Sequence, residues 1–369
     1  MKKFILSLMM ATALTACGDS DADKANKNAA KNGKPVIKIG ATLPLTGDLA
    51  YAGQNMKAAM ELSLKDLQKT NLKYDYKLVF EDDGYELKKA QQNLNRFNDI
   101  EKVRAVMTFW GNIGTLASNF AEQKHIIHMA CALSDVVGKG KYNFNHATTP
   151  KEHASTLVRY YKEHGYKRIG LFNAALAECV EFGETLKNML LDEGFEIAFD
   201  MQALPSTRDF KIDILKMKEA NPDAVFVEMP SPMIEIFGKQ VKEMAFNVPL
   251  TNINTFPSAP ELFEGHIYLT EKEGNQDFYE HFEENTQLRP MPCTANVYDG
   301  LKMIVEGFEK AEIKNDNQLP QNEDVIDVML NNQNFEGVVS ILGIDEEGNI
   351  NSASVIKRII DGKPVTVEK

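Results

Sequence analysis

Apolar residues along the chain fall into short runs separated by stretches whose apolar positions recur at helical spacing. Val36-Ile37-Lys38-Ile39-Gly40-Ala41 predicts a strand, Thr42 to Asp48 a loop, and Met56, Met60, Leu64 and Leu67 one face of a following helix. Further strands are predicted at Leu78 to Glu81, Val103 to Thr108, Ile126 to Ala130, Arg168 to Phe172, Glu196 to Phe199, Ala224 to Glu228 and Leu250 to Ile253. Helical patterns lie between them, as in Ala90, Leu94, Phe97 and in Phe182, Leu186, Met189, Leu190. Strand and helix alternating at these intervals imply parallel sheets wrapped by helices, an α/β class. The length from Val36 onward suits two such units. The methionines, Met56 and Met60 or Met233 and Met244, follow the helical spacing and read as core filler.

In open parallel sheets ligands bind outside the carboxyl ends of strands, where loops meet helix N-termini. Four loops at such positions carry residues that plain turns do not need. They are Thr46-Gly47-Asp48, Glu81-Asp82-Asp83-Gly84, the run from Thr108 to Thr115, and the run from His128 to Asp135. The chain's one tryptophan, Trp110, sits in the third, between Phe109 and Gly111-Asn112. These loops are expected to line a single crevice.

The start of the chain has another character. Lys2-Lys3, an apolar run from Phe4 to Ala13 and a small-residue exit at Leu14-Thr15-Ala16-Cys17-Gly18 make a secretory signal rather than a membrane span, which needs about twenty apolar residues. Its end resembles the lipobox of bacterial lipoproteins, which implies a signal over residues 1–16 and a lipid on Cys17. Residues 17–35 contain little to bury and are expected to form a tether. A formal net charge of -12 argues against a nucleic-acid partner and against a basic membrane-binding surface. Membrane association is therefore expected through the anchor alone.

Chemistry that would mark an enzyme is missing. The sequence has no Gly-x-Ser-x-Gly elbow, no phosphate-cradling Gly-Lys-Ser/Thr and no His-Glu-x-x-His helix, and it nominates no cofactor. His125, His128 and Cys131 have a spacing suggestive of metal ligands, but positions three apart on a strand point to opposite faces, so no metal is expected. Apart from Cys17 there are Cys131, Cys179 and Cys293, an odd set that makes no disulfide framework, although an exported compartment permits one bridge. Free thiols are expected at Cys131 and Cys179, because a bridge between them would lock the crevice.

The order Ile39-Gly40, Leu45-Thr46-Gly47, Gly53, Glu81-Asp82-Asp83, Thr207-Arg208-Asp209-Phe210, Asn221-Pro222-Asp223-Ala224-Val225, Tyr298-Asp299-Gly300 and Phe335-Glu336-Gly337 resembles the type I periplasmic binding proteins. Within these it is most similar to the branched-chain amino-acid binding proteins of ABC importers. The resemblance implies two Rossmann-like lobes joined by three crossovers, with a small polar ligand trapped between them by hinge closure and the closed form recognised by permease subunits. Crossings are expected near Thr148 to Pro150, Leu269 to Asn275 and Gly337. Lobe one is then 36–149 with 276–336, and lobe two 150–275 with 337–369. A sensory receptor reporting amides or amino acids to a signalling partner would use the same fold.

Carried over by position, the resemblance implies that Trp110, Gly111, Asn112 and the Ser134 hydroxyl hold a ligand carboxylate. A carbonyl near Ala132, in the loop with Leu133, would meet an ammonium. The second lobe departs from the pattern. An acid, Glu178, stands where an aromatic is expected, the aromatic near Pro230 is absent, an amide replaces the acid near Asn254, and Gly111 replaces a serine. If Glu178 and Glu228 face the cleft they replace the missing acid and, with Tyr51, Phe109 and Trp110, suit an amine or other cation. Otherwise either glutamate is a solvated surface residue or part of an interlobe salt bridge.

Overall fold

The structure is a computed structural model that describes residues 33–47, 49–134, 136–314, 319–350 and 353–368. The predicted signal and Cys17 lie outside these residues. The chain forms a first sheet from β1 (Val36–Leu43), β2 (Asp75–Asp82), β3 (Ala105–Phe109), β4 (Ile127–Cys131) and β5 (Asn143–Asn145), in the order β2-β1-β3-β4-β5. Every pairing in it is parallel. Such strands are covered on both faces, which is why β3 and β4 read as near-continuous apolar runs and are buried throughout. The connecting helices are α1 (Ala50–Leu67), α2 (Leu87–Arg96), which runs into a π-helical turn at Phe97–Glu101, and α3 (Gly111–Lys124). Leu94 and Phe97 pack with Phe120 of α3 on one face of the sheet. Met56 and Met60 of α1 pack on the other.

The chain then enters a second lobe through α4 (Pro150–Glu163), whose start is fixed by Pro150 and by the Thr149 hydroxyl, which accepts from the Glu152 N–H at 3.2 Å. There follow β6 (Arg168–Ala174), α5 (Ala177–Asp192), β7 (Glu196–Ala203), α6 (Lys211–Ala220), β8 (Ala224–Glu228), α7 (Met233–Glu243), β9 (Leu250–Ile253) and β10 (Ile267–Glu271). After β10 the chain returns to the first lobe as α8 (Gln276–Thr286), α9 (Thr294–Lys310) and α10 (Asn322–Asn331), then the short pair β11 (Phe335–Glu336) and β12 (Ile341–Leu342). Leu301, Ile304 and Phe308 of α9 complete the core over β1. A closing hairpin, β13 (Ser354–Ile360) and β14 (Lys363–Glu368), adds antiparallel strands to the second sheet, whose order is β14-β13-β10-β9-β8-β6-β7.

The last crossing lies later than the sequence suggests. Gly337 was expected to begin the second-lobe tail, yet Val339, Leu342, Ile344 and Ile350 are buried in the first core. The cause is Asp299 on α9, whose buried carboxylate accepts from the Val338 and Val339 N–H groups at 2.9 and 3.1 Å. Gly337 passes so close that a Cβ there would lie 2.3 Å from that carboxylate. Asn349 then bridges to Asn145 at the end of β5, and only from Ser354 does the chain join the second sheet.

Candidate functional site

The carboxyl ends of both sheets meet where β3 gives way to α3. Trp110 caps α3 at φ 69° and ψ 157°, a conformation uncommon for a bulky residue and a mark of local strain. Its N–H donates to the Cys131 carbonyl at 3.1 Å, which ties the end of β3 to the end of β4. The indole packs against Phe109 and edge-on against Tyr85, with centroids 4.2 and 5.0 Å apart. The Asn112 amide donates to the Tyr85 hydroxyl at 3.4 Å.

A helix start leaves backbone N–H groups without partners and carries a partial positive charge. No side chain of its own loop caps α3. Glu178, in the first turn of α5 in the second lobe, does so instead: its Oε1 accepts from the Gly111 N–H at 3.0 Å. A Cβ at position 111 would itself lie 3.0 Å from that oxygen, which gives glycine in place of serine a physical reason. Burial pushes the Glu178 carboxyl above its ordinary range, against the opposing pull of the Gly111 and Asn112 N–H groups.

Glu228 ends β8 and is 9% exposed, so it is not a solvated surface residue. Nor does it form an interlobe ion pair among the described residues: its Oε2 accepts from the Asn252 amide at 3.1 Å and the Ile253 N–H at 3.0 Å, both within the second lobe. Burial, with the charge of Glu178 added, pushes its carboxyl up to about 8. Cys179 lies beside both acids, buried and free, and burial with their charges pushes its thiol well above the ordinary range. Asn254 follows β9 at φ 59°, and among the described residues its buried Oδ1 lacks a hydrogen-bond partner, as does the Oδ1 of Asn173 in β6. The second-lobe rim thus presents acceptors and acids.

The loop after β4 is held by Asn145. Its side chain accepts from the Ala132 N–H at 3.0 Å and donates to the Ala132 and Ser134 carbonyls at 2.9 and 3.3 Å. The buried Ser134 hydroxyl accepts from the Val136 N–H at 3.2 Å, while Leu133 packs across onto the second-lobe core. Asp82 likewise takes the Leu45 and Thr46 N–H groups at 2.8 and 3.3 Å. Tyr51 stands apart, 53% exposed on α1, with its hydroxyl donating to the Arg289 carbonyl at 2.8 Å. The structure therefore gathers Phe109, Trp110, Gly111, Asn112 and Glu178 closely, with Glu228 behind Glu178, and leaves Tyr51 on the surface.

The expected free thiol at Cys131 is a correction. Cys131 is bridged to Cys293 at the start of α9, 162 residues further on, with Cα atoms 6.1 Å apart. Pairing within one lobe leaves hinge motion unhindered, whereas a bridge from Cys131 to Cys179 would span the cleft. His128 is buried between the Thr108 hydroxyl at 2.8 Å and Asn143 at 2.9 Å, and His125 stacks on Tyr142, so His125, His128 and Cys131 do not converge. Tyr85 was not foreseen; its only signal was its place after the acidic loop at a strand end.

The sequence profile described as periplasmic binding protein matches residues 36–357. The chain belongs to that family. Solved structures agree on the fold. A leucine binding protein, LivK, from Thermotoga maritima is 21% identical with a TM-score of 0.77, over 89% of this chain and 97% of that one. The branched-chain amino acid binding protein LivJ of Streptococcus pneumoniae, solved with isoleucine, is 17% identical with a TM-score of 0.77, over 90% and 100%. A solute binding protein from Rhodopseudomonas palustris, solved with 3,4-dihydroxybenzoic acid, is 18% identical with a TM-score of 0.76, over 90% and 96%. Like other members, this periplasmic binding protein is built as two α/β lobes of type I. Among its described residues no helix is long and apolar enough to cross a membrane.

Proposed function

We propose that the chain is the extracytoplasmic solute-binding component of an ABC importer, held at a membrane by lipid on Cys17, and that its lobes close on a small ligand bearing an ammonium or amide group. Family membership supports the binding role, and the relatives solved with isoleucine and with an aromatic acid show how widely ligands vary on this fold. One observation carries the ligand class. The α3 N-terminus, which would suit a ligand carboxylate, is taken by the protein's own Glu178, and Glu228 stands behind it without a basic partner among the described residues. Buried carboxyls without a cation favour a ligand that brings one. Cys179, the thiol beside these acids, is held protonated by its burial and their charges, which supports binding without turnover.

The test is a binding screen of the folded body, unfolded and refolded to strip carried-over ligand, against amines, amides, amino acids and carboxylates. Saturable binding of an amine, amide or amino acid is expected. Binding confined to carboxylates without an amino group would remove the proposed class.

A further inference from the structure

On the hinge side of the cleft, where β10 hands the chain back to the first lobe, lies a cavity of about 220 Å³. Both lobes build it: Thr270 and Glu271 from the end of β10, Glu273 from the crossing, Tyr279 from α8, and Met291 and Cys293 before α9. Its wall at Cys293 is bonded to Cys131, whose neighbour Ala132 opens the loop after β4 described above.

Among the described residues no lysine, arginine or histidine lines this cavity. Glu273 has its counter-charge in Lys357, 2.6 Å away. Glu271 has none. It is 6% exposed, and among the described residues its one hydrogen bond is to Oε1, from the Cys293 N–H at 2.7 Å. Burial pushes its carboxyl up to about 7, as expected of an acid desolvated without a cation. Asn296 lines the same space, is 2% exposed, and its Nδ2 has no hydrogen-bond partner among the described residues. Uncompensated buried carboxylates are costly, and proteins keep them where a cation arrives.

A bare metal ion does not suit the place. Although Cys131, Glu271 and Cys293 lie together, the sulfurs are bonded to each other, so one carboxylate remains where structural metals take four or more ligands. The volume is also far larger than an ion. An aromatic ring, proline and methionine side chains and one acid that is not already paired are instead the surroundings an alkylated ammonium prefers.

We propose that this cavity is the seat for the cationic end of the ligand, an organic ammonium, with the Glu271 carboxylate as its counter-charge, the Tyr279 ring as its wall and Asn296 as donor to an oxygen the ligand carries. The proposal rests on the solute-binding reading and narrows it.

The experiment is calorimetric titration of the refolded body with choline, n-butylammonium and 3,3-dimethylbutanol, the neutral isostere of choline, alongside leucine and benzoate. Choline is expected to bind at least about tenfold more tightly than its neutral isostere. Glu271→Gln, which keeps an acceptor for the Cys293 N–H, is expected to abolish that preference. Asn296→Leu is expected to weaken choline about threefold and leave n-butylammonium unchanged, since only choline offers a hydroxyl oxygen. Equal affinity for choline and its isostere overturns the proposal without any variant having to fold. Binding of leucine but of neither ammonium overturns it and leaves the solute-binding reading standing, whereas binding of benzoate alone removes the proposed ligand class as well. Failure of every compound to bind counts against both.

Discussion

The two rims of the cleft have opposite chemistry. The first lobe contributes donors, in the N–H groups that open α3 and the Asn112 amide, set on a strained Trp110. The second contributes acceptors, in Glu178, Glu228 and the unpartnered Oδ1 atoms of Asn173 and Asn254. Each rim satisfies part of the other, so Glu178 holds the lobes together with the bond that a ligand carboxylate would otherwise make. Closure in this protein therefore owes something to its own side chain. What remains for the ligand is the surplus of acids on the second rim.

Reversing the second rim should have the largest effect. Glu178→Lys places a cation against the positive end of α3, and losing a charged hydrogen bond of about 1.5 to 3 kcal/mol should open the lobes and weaken ligand binding by on the order of ten- to a hundred-fold. Small-angle scattering, showing a larger radius of gyration than wild type, checks the opening. Damaging the first rim is expected to cost less: Trp110→Ala removes the stacking on Phe109 and Tyr85 and should weaken the ligand about tenfold by calorimetry. An unchanged affinity would take Trp110 out of the site.

The acid surplus should also be visible in stability. Glu228 has a folded-state value of about 8 against an ordinary 4.5, so between these values the native state binds more protons than the unfolded one. The stability it contributes is present at low pH and lost as pH rises through about 8. From pH 5 to pH 9 the ligand-free midpoint of Glu228→Gln should fall less than that of wild type, by about 2 °C or more. Parallel curves would mean that Glu228 is not uncompensated. The smallest effect is expected at Tyr51, outside both rims, where Tyr51→Phe should leave ligand affinity within about twofold.

Much of the fold was legible because parallel strands announce themselves. The strands predicted at Ala224 to Glu228 and Leu250 to Ile253 appear with those bounds. Those missed, β5, β10, the β11–β12 pair and the β13–β14 hairpin, are short or lie where the chain changes lobes, and the hairpin is half exposed, so no long apolar run marks them. The late crossing was hidden for a similar reason: Asp299 reaches 39 residues along the chain to hold Val338, a contact no local pattern encodes. For the site, strand-end position found the Trp110 loop, and the departures at Glu178 and Gly111 were visible as separate oddities. That one explains the other, acid accepting from glycine across the cleft, needed the fold. The Cys131–Cys293 bridge and the Glu271 cavity join segments too far apart in sequence for spacing to reveal.

The central claim, a cleft that closes on a cation because its own glutamate fills the anion cradle, meets its most direct test in one thermal-shift comparison. The refolded body, wild type and Glu178→Ala, is screened with amines and with carboxylates lacking an amino group. Wild type is expected to respond to amines, with roughly 2.7 kcal/mol of added stability at one hundred times the dissociation constant, and to ignore the carboxylates, while Glu178→Ala gains a response to carboxylates. Stabilisation of wild type by carboxylates, undiminished by the presence of Glu178, would contradict it.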